Sequence, residues 1–258
     1  MIPELDRALR FMAAMEERVA TRIEPLAFGA AYFHDRLPRV WDRNFVLVEH
    51  DPGGTETVLR EAERVLGGAG LYHRGVHFDD EWLGLMHAPE LEARGYGIRR
   101  VLVMIQFVSP LDRPSATAVE VDHAELRPAR KAFLQSELFG RDPETARQLL
   151  VNDDVLAQST SERCFAVKVG GEVASYCRLF SDGSTFQVED VATLPPHRGR
   201  GYASAVVAAA AEAACEAGAD LVFLTAYDDE PAKELYLRLG FESVGATVDA
   251  IRASVAVR

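Results

Sequence analysis

The segment that most constrains the fold of this chain lies between residues 191 and 204. It reads as a strand end, a short loop and a helix start, with the sequence Val-Ala-Thr-Leu-Pro-Pro-His-Arg-Gly-Arg-Gly-Tyr-Ala-Ser. Glycines in such a loop let backbone N–H groups approach a ligand, because no Cβ intervenes. A helix that begins there directs unpaired N–H groups and the positive end of its dipole at the same point. The segment therefore predicts an anion site, and phosphate is the usual anion.

Two arginines in this loop, Arg198 and Arg200, would add charged donors. The sequence has no Gly-x-x-x-x-Gly-Lys-Ser/Thr, so a Walker loop is excluded. The run from Gly199 to Ser204 imitates the dinucleotide fingerprint, but Ser204 replaces its third glycine and residues 195–197 separate it from the strand. These differences disfavour a nucleotide-binding oxidoreductase. An ordinary strand-to-helix turn with surface arginines stays open as an alternative.

A second motif follows downstream. Residues 221–225, Leu-Val-Phe-Leu-Thr, form an apolar run typical of a buried strand. They are followed by Tyr-Asp-Asp-Glu-Pro-Ala-Lys-Glu-Leu-Tyr-Leu-Arg-Leu-Gly-Phe over residues 227–241. Asp229 as N-cap, Pro231 in the first turn and Gly240 at the end predict a short helix.

Together these motifs resemble the GNAT superfamily of acyl-CoA-dependent N-acyltransferases. The resemblance rests on Arg198-x-x-Gly-x-Ala, then a strand, then Pro-Ala-x-x-Leu-Tyr-x-x-x-Gly-Phe; it is strong over residues 186–245 and extends over 118–258. Two motifs in the right order are more specific than either alone. The resemblance implies an α/β (α+β) fold with a mixed central sheet flanked by helices.

The chain divides most naturally at Ser-Pro-Leu-Asp-Arg-Pro-Ser, residues 109–115, a polar segment with two prolines. We therefore predict domains at 1–113 and 116–258. In the second domain the patterns predict a strand at 118–121, helices at 128–139 and 143–150, and a hairpin around Gly170-Gly171. A central strand at 186–193 and a helix at 205–217 follow.

The first domain is interpreted as a degenerate copy of the second. Aromatic-Asp-Asp-Glu occurs at residues 78–81 and again at 227–230, and each occurrence precedes a predicted helix and then a β-branched strand. Upstream, residues 44–49 would match the central strand and 55–66 the phosphate-binding helix. The first copy has His-Asp-Pro-Gly-Gly at 50–54, without arginine, so only the second domain is expected to bind cofactor and be active. Chance similarity of two strand–helix units is the alternative.

The resemblance also implies a set of cofactor-binding residues. Backbone groups of Val191, Ala192 and Thr193 would hold the pantetheine arm of acetyl-CoA, on a strand that separates from its neighbour. Asp229 stands where the family commonly has asparagine. The pyrophosphate would bind mostly to the backbone of Arg198, Gly199, Arg200, Gly201, Tyr202, Ala203 and Ser204.

Two residues are candidates for proton transfer. Tyr236 matches the tyrosine of the Leu-Tyr-x-x-x-Gly-Phe helix, whose implied role is general acid to the CoA thiolate; packing in the core is the alternative. Glu189 shares one strand face with Gln187 and Val191 by the two-residue period, so it is the better candidate for general base than Asp190. A solvated strand-edge charge is the alternative for Glu189.

We therefore expect an N-acetyltransferase that acts on a primary amine of a small molecule or peptide, with a non-catalytic acyl-CoA sensor of the same fold as the alternative. The net charge of −12, from 40 acidic and 28 basic residues, argues against nucleic-acid binding and favours a cationic acceptor. Without a long apolar run or signal peptide, we expect a cytoplasmic protein with no membrane partner; it could form a homodimer. No metal is expected, because His73 and His77 lack further ligands and Cys164, Cys177 and Cys215 look like small core residues.

Overall fold

The computed structural model describes residues 2–106 and 116–253, which divide into two compact units. The N-terminal unit comprises Met12–Leu102, Tyr227–Glu230 and the described residues from Gly245 onward. The C-terminal unit comprises the described residues of three ranges, Met1–Phe11, Val103–Ala226 and Pro231–Val244. The linker predicted at 109–115 lies outside the described residues, so the boundary between 1–113 and 116–258 stays a prediction.

The N-terminal unit alternates strands and helices after a two-stranded start. Its own elements are β1 (Arg22–Leu26), β2 (Gly29–Phe33), β3 (Phe45–Val48), α2 (Thr55–Ala62), β4 (His73–Phe78) and α3 (Glu81–Ala93). A single π turn, Glu63–Gly67, continues α2, and the 3₁₀ turn Trp41–Arg43 precedes β3. Four further elements have residues in both units, namely α1 (Pro3–Val19), β5 (Gly97–Gln106), β10 (Leu221–Tyr227) and β11 (Phe241–Ala253).

Strands of the N-terminal unit pair in the order β1-β2-β3-β4-β11. β1 with β2 and β2 with β3 are antiparallel, β3 and β4 are parallel, and β4 with β11 is antiparallel. The core beneath α2 and α3 is fully buried at Val58, Leu91 and Phe78. Gly84 lets α3 lie close to β11, because a Cβ at this position would stand 2.5 Å from the Cβ of Val248.

The C-terminal unit contains β6 (Val119–Val121), α4 (His123–Ser136), α5 (Pro143–Ser159), β7 (Ser161–Val169), β8 (Glu172–Ser181), β9 (Thr185–Thr193), α6 (Tyr202–Glu216) and α7 (Ala232–Arg238). Two 3₁₀ turns, Leu138–Gly140 and Pro195–His197, precede α5 and α6. Strands pair in the order β10-β9-β8-β7-β6, with β9 and β10 parallel and the other pairs antiparallel. The fold is therefore α/β with mixed sheets and flanking helices, as predicted.

The predicted internal repeat is confirmed by the order and pairing of the elements. Each unit contains three consecutive antiparallel strands, β1–β3 in one and β7–β9 in the other. The third strand of each set pairs in parallel with the strand that follows it in the chain, β3 with β4 and β9 with β10. A helix connects each parallel pair, α2 in one unit and α6 in the other. Another helix and a strand follow each pair, so the chain carries two GNAT-like copies.

Several predicted boundaries need correction. α4 begins at His123 and not at Pro128, because Asp122 and Glu125 form a capping box in which the Asp122 N–H donates to Glu125 Oε1 at 3.2 Å. α5 runs on to Ser159, beyond the predicted residue 150. The hairpin around Gly170-Gly171 is confirmed, since Val169 pairs with Glu172 and both glycines have positive φ.

Two other expectations concern single residues. Asp229 is not the N-cap of α7; Pro231 occupies that position and no side chain caps the helix. Cys164 and Cys177 are buried as expected, but Cys215 is exposed on α6, so it is not a core residue. None of the helices in the described ranges has the length and apolar character needed to cross a membrane.

Candidate active site

The parallel strands β9 and β10 pair over only part of their length. Their register runs from Thr185 and Leu221 to Val188 and Leu224. Within the described residues, β9 from Glu189 to Thr193 has no partner in β10, although it remains paired with β8. The two strands therefore separate where the sequence predicts the pantetheine-binding residues Val191, Ala192 and Thr193.

Glu189 lies at the point where the strands separate. Its carboxylate accepts a hydrogen bond from the side-chain amide of Gln187 at 2.6 Å and from the hydroxyl of Thr225 at 3.4 Å. Gln187 is 5 % exposed, so the carboxylate is held from a buried position in its own strand. The prediction that Gln187 and Glu189 share one face of the strand is confirmed. The Glu189 carboxylate is fixed by hydrogen bonds and is not a freely solvated charge.

A β-bulge distorts β9 immediately after Glu189. Its register against β8 shifts between Tyr176 and Arg178, and Asp190 has φ of +52°. Among the described residues other than glycine, Asp190 alone has a positive φ. A bulge increases local twist and redirects the strand. It therefore turns β9 at the point where pairing with β10 ends.

The side chain of Asp190 lies in a buried cluster of charges, on the opposite side of β9 from Glu189 as predicted. It accepts from Arg178 at 3.0 Å and lies 3.2 Å from Arg130. Asp153 lies 2.9 Å from Arg130 and 3.5 Å from Arg178. Glu162 is a further partner of Arg178, whose side chain is 3 % exposed.

Electrostatics keep the two arginines of this cluster charged, whereas burial raises the pKa of the Asp153 carboxyl. Burial opposes the charge of Arg130 and Arg178, but the carboxylates, Asp190 first among them, outweigh burial and raise the pKa of both guanidinium groups. Removing one member of such a cluster would leave a buried charge without compensation. The cluster therefore holds Asp190, and with it the bulge, in place.

The predicted phosphate-binding loop connects β9 to α6. Gly199 and Gly201 have φ of +74° and +75°, and Gly201 is the N-cap of α6. No side chain caps α6, so the N–H groups of its first turn, from Tyr202 to Ser204, have no side-chain partner at the cap. A Cβ at Gly199 would meet no atom within 4 Å, so there is open space over the loop. This geometry fits an anion bound by backbone N–H groups.

The two arginines of the loop differ. Arg198 donates to the Thr193 carbonyl at 3.1 Å and to Glu137 at 3.0 Å, which ties the loop to β9 and to the end of α4. Arg200 is exposed and contacts no acidic side chain among the described residues. Of the two, Arg200 is therefore the cation that an anion could engage without breaking an ion pair.

Tyr236 lies on α7 in the C-terminal unit and is 7 % exposed. Its ring makes an edge contact with Phe241, with 6.3 Å between the ring centroids. The ring of Tyr236 therefore packs in the core, and its role as general acid stays a prediction.

Asp229 lies in the N-terminal unit and pairs with Arg99 of that unit at 2.9 Å. Arg99 also pairs with Glu230 at 2.7 Å and stacks over the ring of Tyr227. The arginine lowers the pKa of the Asp229 carboxyl, which therefore stays ionised. Its role in cofactor binding stays a prediction.

The corresponding region of the N-terminal unit differs in two respects. β3 pairs with β4 up to its last residue, Val48, whose carbonyl accepts from the Asp79 N–H at 3.4 Å, so these strands do not separate. In the following loop, Asp51 accepts a hydrogen bond from the Gly53 N–H at 2.8 Å. A carboxylate therefore already binds in the loop that would have to receive a phosphate.

One group of side chains in the C-terminal unit resembles a metal site. Ligand atoms of His123, Glu162 and Cys164 lie within 4.8 Å of one another. Glu162 is bound to Arg178, however, and burial raises the pKa of the Cys164 thiol to about 12. Because the thiolate is the form that binds metals, this chemistry disfavours a metal, and the expectation of none stays a prediction.

Sequence reasoning missed Thr225 and the charged cluster behind the bulge. One signal was present: Arg178 stands inside the apolar run of β8, Val-Ala-Ser-Tyr-Cys-Arg-Leu-Phe. A charged side chain in a buried strand requires buried partners of opposite charge. The partners themselves, Asp153 and Glu162, lie on other elements, and no sequence spacing identifies them.

Comparison with known proteins shows one family to which the sequence around this site is similar. A sequence model of the acetyltransferase (GNAT) family matches residues 126–241, which include α4 to α7. None of the curated proteins matches the sequence.

Solved structures extend the likeness to the whole fold. A GCN5-related N-acetyltransferase from Kribbella flavida is 21 % identical with a TM-score of 0.67, covering 97 % of this chain and 95 % of its own. A functionally unknown protein from Staphylococcus epidermidis is 15 % identical with a TM-score of 0.69, covering 92 % and 95 %. A tandem GNAT protein from the clavulanic acid biosynthesis pathway is 13 % identical with a TM-score of 0.50, covering 79 % and 69 %.

At these identities the structural likeness shows the fold alone. The chain has a GNAT fold with a degenerate first copy, and its residues 126–241 match the acetyltransferase (GNAT) family.

Proposed function

We propose that the C-terminal unit transfers an acetyl group from acetyl-CoA to a primary amine. The observation that carries this proposal is the separation of β9 from β10 beyond Val188, with the Glu189 carboxylate at its start. The strand leads from there into the glycine loop and the uncapped N-terminus of α6. A carboxylate, an open strand edge and an anion site thus follow one another along residues 189–204.

Each part suits one portion of acetyl-CoA. Open backbone groups of Val191, Ala192 and Thr193 can pair with the amides of the pantetheine arm, which offsets the cost of about 1–3 kcal/mol for each buried unpaired group. The loop and the first turn of α6, residues 198–204, can bind the pyrophosphate through backbone N–H groups and the helix dipole. Arg200 adds a charge that has no competing ion pair among the residues that the structure describes.

In the proposed reaction Glu189 takes a proton from the acceptor ammonium, directly or through water. The free amine then attacks the thioester carbonyl, so that a C–N bond forms and the C–S bond breaks. Tyr236 gives its hydroxyl proton to the departing thiolate, and the second proton that the attacking nitrogen loses on becoming an amide returns to the Tyr236 oxygen through water. Gln187 and Thr225 hold the Glu189 carboxylate and thus fix its direction. The net charge of −12 attracts cationic acceptors.

The test is CoA release from acetyl-CoA with a panel of primary amines, compared between wild type and Tyr236→Phe. If Tyr236 is the acid, the variant should lose about 10²–10⁴-fold in kcat and keep its affinity for acetyl-CoA. An unchanged kcat would reduce Tyr236 to a packing residue. Tight acetyl-CoA binding without turnover of any amine would instead support an acyl-CoA sensor.

A further inference from the structure

A groove between α4 and α5 has no part in the proposed reaction. Its volume is about 780 Å³. Pro128, Ala146 and Leu150 contribute apolar surface to its walls. A cavity of this size falls in the range of small-molecule sites, about 300–1,000 Å³.

The charged residues that line the groove are all basic: Arg127, Lys131, Arg141 and Arg147. Two of these cations are already paired, Arg127 with Asp154 at 2.8 Å and Arg147 with Glu144 at 2.6 Å. Lys131 and Arg141 are exposed, and neither side chain has a hydrogen bond or ion pair within the described ranges. A chain with net charge −12 thus carries a local site with two uncompensated positive charges.

The apolar surface continues at the end of the groove. The 3₁₀ turn Leu138–Gly140 contributes Gly140 to the lining. The other two side chains of this turn are exposed, Leu138 by 75 % and Phe139 by 55 %. Adjacent exposed apolar side chains beside a concave surface are typical of a binding site. The cations and the apolar surface together favour a ligand that has a negatively charged group and an apolar part.

We propose that this groove binds a small organic acid. Its carboxylate, sulfonate or phosphate would pair with Lys131 and Arg141, and its apolar body would pack on Pro128 and Leu150. This binding goes beyond the proposed acetyl transfer and does not depend on it.

The probe for the test is 8-anilinonaphthalene-1-sulfonate, whose fluorescence rises when its apolar rings leave water. We expect one saturable site on the full chain. The double variant Lys131→Gln/Arg141→Gln should weaken the dissociation constant about tenfold or more, because charge-assisted contacts are lost. Ala146→Trp should abolish the site by filling it, and thermal unfolding checks that each variant is folded.

A matched control distinguishes the loss of cations in the groove from the change in net charge of the protein. Arg18→Gln/Arg36→Gln removes two exposed cations that do not line the groove, so the net charge changes equally. This double variant should bind the probe within about twofold of wild type, since neither side chain lines the groove. Equal weakening in both double variants would overturn the proposal, as would the absence of saturable binding.

Competition identifies the chemistry of the ligand. Phenylbutyrate and phenyl phosphate should displace the probe, and their ranking distinguishes a carboxylate from a phosphate ligand. Phenylbutylamine, which is cationic and otherwise similar in shape to phenylbutyrate, should not displace it. Displacement by the amine would overturn the proposal. So would displacement by one equivalent of CoA, because the probe would then occupy the cofactor site.

Discussion

Gln187 donates a hydrogen bond from its side-chain amide to the carboxylate of Glu189, with 2.6 Å between Nε2 and Oε1. The amide group is buried, and it approaches the carboxylate from two residues back on the same face of β9. Gln187 cannot accept a proton, so the pair contains one acid–base group in a fixed orientation. The relationship makes Glu189 the carboxylate to test first.

Glu189→Gln replaces the proposed base with a neutral side chain of the same size. We expect kcat for acetyl transfer to fall by about 10²–10⁴, with acetyl-CoA affinity unchanged, because general base catalysis contributes on that scale. Glu212→Gln, on the exposed face of α6, is the matched control and should leave kcat unaltered. A kcat within threefold of wild type in Glu189→Gln would remove Glu189 from the mechanism.

Asp190→Asn and Asp190→Ala test how the bulge is held. Both remove the same buried negative charge and should lower the free energy of unfolding by about 3–5 kcal/mol, since Arg130 and Arg178 lose a partner. Asparagine tolerates the left-handed region and alanine does not, so Asp190→Ala should cost about 1 kcal/mol more. Urea unfolding measures the difference.

Acetyl-CoA affinity should follow the same order, because the bulge directs the strand that is proposed to bind pantetheine. Calorimetric titration should therefore show weaker binding in Asp190→Ala than in Asp190→Asn. Equal stability and equal affinity in the two variants would mean that the backbone conformation at Asp190 is unimportant to the site.

The elements of the C-terminal unit were largely predictable, because its strands and helices follow hydrophobic periodicity and glycine turns. The repeat was predictable as well, from Asp-Asp-Glu at 79–81 and 228–230 together with the elements around each. α1, β1 and β2 were not predicted, since no motif marks them. The start of α4 was misplaced at Pro128, whereas the capping box sets the start at His123.

The site could be predicted only where local sequence determines geometry. The glycine loop and the shared face of Gln187 and Glu189 are consequences of nearby residues. The contact from Thr225 and the ion pairs of Arg130 depend on residues that are distant in sequence. The pairing of Asp229 with Arg99 likewise required the tertiary fold, which is why Asp229 was misread as a helix cap.

Asp79→Asn should stabilise the protein in a pH-dependent manner. Burial raises the pKa of the Asp79 carboxyl from 3.8 to about 6, so the folded state holds this proton where the unfolded state has released it. Stability is therefore lost as pH rises from about 4 to 6, and ionised Asp79 costs about 3 kcal/mol above that range. Unfolding at pH 7.5 should show the variant more stable by about this amount, with little difference at pH 4. A variant less stable than wild type at pH 7.5 would contradict this account.

The three cysteines should react unequally with a thiol reagent. Cys215 is exposed, whereas Cys164 and Cys177 are buried and burial raises the pKa of both thiols. Native protein should therefore show one fast thiol, and denatured protein three. Cys215→Ser should remove the fast phase, and a persistent fast phase would show that a buried cysteine is accessible. This variant is also the suitable background for measuring CoA release by thiol detection.

The central claim is that the C-terminal unit alone binds the cofactor, and calorimetric titration of the full chain with acetyl-CoA tests it most directly. Ala203→Glu places a negative charge in the first turn of α6, where the helix dipole tolerates it but a phosphate would be repelled; Ala209→Glu puts the same charge in mid-helix as the control. We predict saturation at one acetyl-CoA per chain in wild type and in Ala209→Glu, no binding in Ala203→Glu, and no binding of NAD. Two equivalents per chain, or undiminished binding in Ala203→Glu, would contradict the account.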